Sequence, residues 1–247
     1  MNRLTETVKH LLIVNVLFFI ATYIYGDLMY EWFAMWFPKN DNFQYWQIIT
    51  HMFMHGGIAH IGFNMFALWM FGGPVEQYLG RNRFLFLYFS AGLGAVLFQV
   101  GFYYFNYLPF YEELIASGLT GDQITQMLSA ERFLDGLTDL QVYNVQEVFN
   151  IYNASMVGAS GCIMGVLAAF GVMNPNAELM LIFLPIPIKA KYFIPGIILL
   201  DVISAVTGQS FFSPSNTAYM AHVGGAVVGF IIMWYWKKNS FNKNRWN

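Results

Sequence analysis

The strongest constraint in this chain is a succession of apolar runs, each close to the length that crosses a bilayer. A spanning helix takes roughly 20 mostly apolar residues. Six runs qualify, at about 11–25, 50–71, 84–105, 154–173, 192–206 and 217–236. Of the 247 residues, 57% are hydrophobic and only 11% charged, where a soluble domain carries about 25% charged residues. Lipid offers no water to the backbone, so each run must close its own hydrogen bonds as a helix. The expected class is therefore an all-α membrane protein, a six-span bundle read as one domain over residues 1–247. The fifth run is short unless 179–188 contributes to it. Arg3 and Lys9 ahead of the first run suit a signal peptide, but no clean small-residue cleavage site follows, so the run is read as a retained span.

Basic residues set the expected orientation. With a cytoplasmic N-terminus and six spans, Arg3, Lys9, Arg81, Arg83, Lys189, Lys191, Lys237, Lys238, Lys243 and Arg245 fall inside, and only Lys39 and Arg132 outside. That bias follows the positive-inside rule and puts both termini in the cytoplasm. The membrane is expected to be a bacterial cytoplasmic one, since no organelle signal is visible. A net charge of −2 argues against a nucleic-acid partner, and the lone Cys162 excludes an internal disulfide.

Two outward segments are long. Residues 26–45 carry Trp32, Phe33, Trp36 and Phe37, a density that suits the membrane interface. Residues 106–153 form an acidic insertion. Within it Thr120 and Gln123 have capping-box spacing, and Ile124, Met127, Leu128 and Leu134 follow near helical spacing. One or two short amphipathic helices are expected there.

Polar side chains inside membrane helices are costly and are functional candidates by default. Here they are His51, His55, His60, Asn64, Ser160, Asp201 and His222. Ser160 and His222 are expected about one and a half turns into the fourth and sixth runs, at similar depth. Gly161/Gly165 and Gly225/Gly229 are small-xxx-small pairs that let the two helices approach closely. A serine hydroxyl is a weak nucleophile until a neighbouring base takes its proton, and a neutral imidazole can do so. No carboxylate is expected at that depth, with Asp201 read as lying near the outer water interface, so the pair is read as a dyad. His60 and Asn64, four residues apart, share a helix face and can both donate hydrogen bonds to an oxyanion, as can the Ser160 backbone N–H. His55 is a candidate for lining a water-filled cavity, and His51 reads as structural.

Three motifs together resemble the rhomboid family of intramembrane serine proteases. Gly158-Ala-Ser160-Gly161 looks like its GxSG and Ala221-His222-x-x-Gly225-x-x-x-Gly229 its AHxxGxxxG. His55-x4-His60-x3-Asn64 looks like its HxxxxHxxxN. The resemblance covers about Trp46 to Gly229. It implies Ser160 as nucleophile, His222 as base, and His60 and Asn64 as oxyanion residues. It also implies substrates that are membrane-anchored proteins with a transmembrane helix, cut near the outer face after a small residue. No cofactor is implied. The chain departs from the pattern at Trp46-Gln47, where the family often has Trp-Arg, and at Met164, where an aromatic often packs against the histidine. A thioether can fill that gap. The fifth span and residues 207–216 are read as a lateral gate and cap.

Other classes fit less well. In isolation a membrane serine mostly serves helix packing. His51, His55 and His60 do not share one tight face, and no HExxH pattern is present, so no metal site is read. A transporter would want charged partners across spans, and only Asp201 is available. The remaining alternative is a catalytically silent relative that binds membrane clients, which the retained Ser160 and His222 oppose.

Overall fold

The computed structural model describes residues 4–181, 184–211 and 217–243. Arg3, Arg245 and the end of the expected cap, residues 212–216, lie outside them. Helix α1 spans Glu6–Tyr25 and α2 spans Asp27–Phe33, followed by a two-residue strand β1, Met35–Trp36. A short helix α3, Gln47–Thr50, runs on into a 3₁₀ turn, His51–Phe53. Helix α4, Ile58–Ala67, continues through a π-turn, Leu68–Gly72, into α5, Gly73–Leu79. Helix α6 is 36 residues long, Arg81–Ala116. Then come α7 (Gly121–Ala130), α8 (Asp139–Tyr152), strand β2 (Ser155–Met156) and α9 (Ser160–Met173). A hairpin of β3 (Glu178–Leu181) and β4 (Leu184–Lys189) leads to α10 (Ala190–Thr207) and α11 (Tyr219–Lys243).

Among the described residues, five helices are long and apolar enough to cross a membrane: 6–25, 58–79, 81–116, 190–207 and 219–239. The chain is thus a multi-pass membrane protein. The remaining expected span is shorter than foreseen. Helix α9 holds only 14 residues, about 21 Å of rise against a hydrocarbon core of about 30 Å. Residues 154–159, counted as part of that span, lie outside any helix, and within them β2 pairs antiparallel with β1. Other boundaries moved as well. The second span begins at Ile58, not Thr50, and reaches Leu79, because the π-turn carries the helix past Pro74, which lacks an N–H. The third continues past Phe105 to Ala116 with Pro109 inside it, about 54 Å of helix, so its last turns extend beyond a bilayer's hydrocarbon. Residues 179–181 and 184–188 do not lengthen the fifth span. They lie in the paired strands β3 and β4, and Pro185 and Pro187 are poorly suited to a helix interior.

The insertion holds the two amphipathic helices, each opened by a complete capping box, Thr120 with Gln123 and Thr138 with Gln141. They bury Ile124, Met127, Leu128, Val145 and Val148 against Phe37, Tyr107 and Leu114. The insertion is therefore built onto the segment after α1. Asn40 Nδ2 donates to the Tyr152 carbonyl at 2.8 Å, and Ser129 Oγ to Asp41 Oδ2 at 2.7 Å.

A second anchor ties α1 to α5. The buried Glu76 carboxylate accepts the N–H of Thr7 at 3.1 Å, the N–H of Val8 at 3.0 Å, and the Thr5 hydroxyl. A carboxylate at a helix N-terminus satisfies orphan donors and matches the dipole. The main core lies between α1, the π-turn, α5, α6, α9, α10 and α11, and includes Leu68, Phe84, Leu87, Tyr88, Val166 and Met233.

Candidate active site

The site is built where α9 meets α11, and glycines set the distance between them. A Cβ at Gly225 would collide with the Gly161 carbonyl, and one at Gly229 with the Gly165 carbonyl. In the other direction, a Cβ at Gly165 would stand 2.9 Å from the Gly225 carbonyl. Helix α11 meets α6 in the same way at Gly224 and Gly94. These are the small-residue contacts expected of the two motifs, with backbone against backbone.

Across that seam, His222 Nε2 lies 2.9 Å from Ser160 Oγ. His222 is the fourth residue of α11. Ser160 is not part-way down its helix as expected: it is the first residue of α9. The depth expected for it from helix rise therefore does not apply, and a different device fixes its position. The chain reaches it through β2 and through Gly158, whose N–H donates to the His51 carbonyl at 2.9 Å. Gly158 has φ +130°, and a Cβ there would stand 2.8 Å from His60 Nε2 and 3.6 Å from Ser160 Oγ. Only glycine takes that backbone comfortably, and only glycine leaves the imidazole its place. Ser160 also heads a helix, where the first N–H groups have no intrahelical partner and the dipole favours negative charge.

The second-span residues lie close to this turn. His60 lies beside Gly158, its Nδ1 3.4 Å from the Gly56 N–H. Asn64, one turn further, is buried, and its Nδ2 has no hydrogen-bond partner among the described residues. His55 is buried, and its ring meets that of His60 edge-on at 5.1 Å. His51 is structural: Nδ1 lies 2.8 Å from the Gln47 carbonyl. Met164, one turn below Ser160, is buried in the main core. Among the described residues no group of three His, Cys, Asp or Glu side chains is arranged to hold a metal.

One expectation is corrected. A carboxylate does stand at the depth of the histidine. Asp201, on α10, is 1% exposed rather than interfacial, and its Oδ2 lies 3.0 Å from His222 Nδ1. Sequence distance concealed this, since nothing in α10 predicts which face meets α11. Two more residues were missed. Gln99 of α6 is buried, and its Oε1 accepts the Ala221 N–H at 3.1 Å, capping the turn that presents His222. An amide inside an apolar run was the available signal. Gln47 is fully buried: Nε2 donates to the carbonyls of Glu31 and Asn42, both at 2.9 Å, and Oε1 accepts the Gln44 N–H at 3.0 Å. The neutral amide thus anchors the segment after α1 without the arginine often found there.

The sequence that builds this geometry has counterparts among known proteins. The family model described as Rhomboid domain matches residues 42–239.

The chain belongs to the rhomboid family.

Among its curated relatives is Rhomboid protein 1, mitochondrial, of Saccharomyces cerevisiae. The two are 26% identical over 192 residues, 77% of this chain and 42% of the relative. The human Presenilin-associated rhomboid-like protein, mitochondrial, is 27% identical over 189 residues, 76% of this chain and 36% of the relative. Rhomboid protease AarA of Providencia stuartii is 25% identical over 198 residues, 76% of this chain and 54% of the relative. The chain thus spans between about a third and a half of these relatives' lengths. Two of the three are named mitochondrial and one is from a bacterium, so they do not single out the bacterial cytoplasmic membrane expected from the sequence.

Proposed function

We propose that this rhomboid is an intramembrane serine endopeptidase that cuts transmembrane segments of membrane-anchored proteins, with Ser160 as nucleophile and His222 as general base. The observation that carries the reading is the 2.9 Å approach of His222 Nε2 to Ser160 Oγ, within the 2.6–3.2 Å reach such a pair needs. In this reading His222 takes the Ser160 proton as Oγ bonds to the scissile carbonyl carbon. The oxyanion is met by the Ser160 N–H at the head of α9, with His60 and Asn64 as further donors. The unpartnered Asn64 Nδ2 supports that role, since a buried amide left unpaired carries a desolvation cost that an incoming oxyanion would relieve. His222 then returns the proton to the leaving amine, and water entering past His55 releases the acyl group. The substrate helix must unwind near the cut, since a helical peptide bond is shielded, so helix-weakening residues would favour cleavage.

The same proposal treats residues 1–247 as one membrane domain with six spans, α9 being the fourth and the shortest. It places both termini in the cytoplasm and the site near the outer face. A catalytically silent client-binding protein is the competing reading. The intact Ser160–His222 pair argues against it.

A fluorophosphonate probe on the purified protein in detergent tests the reading. Labelling at Ser160, lost in Ser160→Ala and in His222→Ala, is the expected result. A folded wild-type protein that takes no label and cleaves no transmembrane segment in liposomes would point to the client-binding reading.

A further inference from the structure

We infer that Asp201 is a positioning residue of this site: its carboxylate, carried on α10, holds His222 in the tautomer that leaves Nε2 free to take the serine proton. The inference rests on the proteolytic reading above and extends the pair to three residues.

The two nitrogens of the His222 ring have one partner each. Nδ1 faces Asp201 Oδ2 at 3.0 Å and Nε2 faces Ser160 Oγ at 2.9 Å. An ionised carboxylate only accepts hydrogen bonds. The proton of a neutral imidazole therefore sits on Nδ1, and the lone pair on Nε2 points at the serine. In the opposite tautomer an Nε2–H would face Oγ and could not take its proton, while the Nδ1 lone pair would face the carboxylate. The proton count closes without a further reactant. Ser160 gives its hydroxyl proton to Nε2 as Oγ bonds to the carbonyl carbon, the Nδ1 proton stays in place, and Asp201 stays ionised beside the imidazolium. That proton then leaves Nε2 with the amine as the C–N bond breaks.

The packing of α10 gives this contact a second consequence. Its buried residues are Ala190, Ile194, Asp201 and Ser204. Near its start the anchor is apolar, with Ile194 against Gly171. From Leu199 onward the two buried side chains, Asp201 and Ser204, are both polar, while Leu199 and Val206 are exposed. The hydrogen bond to His222 thus stands where a greasy contact would otherwise hold the helix. A carboxylate left without its partner in such surroundings is costly, which favours α10 staying docked on α11. Movement of α10 away from α11 would leave Ser160 and His222 in place on their glycine seam but remove the group that selects the tautomer. The competence of the site is in this way tied to the position of a helix that carries neither the nucleophile nor the base.

The test compares wild type with Asp201→Asn, Asp201→Glu, Ser160→Ala and His222→Ala, all full-length. Two readouts are taken. One is kcat and KM on a membrane-embedded substrate segment in liposomes, and the other is the ¹⁵N signature of the His222 ring in detergent. Asparagine keeps the shape but offers an amide N–H to Nδ1, which favours the wrong tautomer. Asp201→Asn is expected to lower kcat by on the order of 10²–10⁴ with little change in KM, and to move the ring proton from Nδ1 to Nε2. Asp201→Glu should restore part of kcat and the Nδ1–H signature. A purely structural role predicts an unchanged tautomer in folded Asp201→Asn, and that result would overturn the inference. So would an Asp201→Asn kcat equal to wild type while Ser160→Ala is dead, with the proteolytic reading left standing. If wild type cleaves nothing, that reading fails, and the ¹⁵N comparison still decides whether Asp201 sets the tautomer.

Discussion

Helix α11 is held on two sides by different physics. Toward α9 and α6 it presents Gly224, Gly225 and Gly229, and the neighbouring backbones come so close that a single added carbon would collide. Toward α10, at the end that carries His222, it is met by the Asp201 carboxylate. The glycine seam has no room to adjust, so it fixes the Ser160–His222 distance as a property of the backbone. The α10 side is joined through side chains, and side chains can part and meet again. In lipid this division matters more than in water, because apolar burial between helices gains little over contact with lipid tails. Close backbone packing and buried polar pairs are the means left, and here each is assigned to one face of the same helix.

The largest effect should come from the seam. Gly225→Leu is expected to push α11 from α9, costing about 1–3 kcal/mol or more from overpacking. With the serine and histidine parted, kcat should fall by at least about 10³-fold. Thermal unfolding and fluorophosphonate labelling would show both, and a Gly225→Leu protein with wild-type labelling would break the distinction between the two faces.

Asn64→Ala should lower kcat by about 10²-fold or more, the usual cost of one lost oxyanion donor, with unchanged thermal stability. If it lowers stability instead, the residue belongs with the packing and not with the chemistry.

A smaller effect is expected from Gln47→Leu. It removes an amide bonded to Glu31, Asn42 and Gln44 and leaves those groups unpaired, at about 1–3 kcal/mol. The chain segment that carries β1 should then loosen, and limited proteolysis between residues 34 and 46 should accelerate.

On the α10 side, Ile194→Ala trims the apolar anchor near its start. It should lower stability by about 1–2 kcal/mol, below the range for soluble cores, while kcat stays within a few-fold, since the Asp201 end is untouched. A large loss of kcat from Ile194→Ala would show that apolar packing also holds the site end.

The smallest effect is expected at Thr138→Ala. It removes the α8 capping box for about 1 kcal/mol with no change in kcat, and an altered kcat would place the insertion in the working part of the molecule.

Much of this was legible in the residues. The apolar runs marked where the long helices lie, although the second is shifted by eight residues at each end and the third runs eleven residues further than its run. The capping box at Thr120 and Gln123 marked α7, and the paired glycines of the two motifs marked the seam. Legibility failed where the chain leaves regular structure or where two distant segments meet. Ala154 to Ala159 are mostly small and apolar, yet they form no helix, because β2 pairs with β1 and Gly158 turns the backbone at φ +130°. Hydropathy cannot see either cause.

By itself, then, the sequence determined that the chain lives in a membrane, that α9 and α11 can touch, and that a serine and an imidazole are the pair to look for between them. Those facts follow from composition and from periodic spacing, which act along one helix at a time. Only the tertiary structure decided that Ser160 begins its helix, that Gln99 caps the turn before His222, and that Asp201 faces the far nitrogen of the ring. The last two join residues on different helices, and the first follows from the pairing of β2 with β1. The rotation of a lipid-facing helix about its axis is set by what it packs against, and its own residues do not encode it in any pattern that can be read alone.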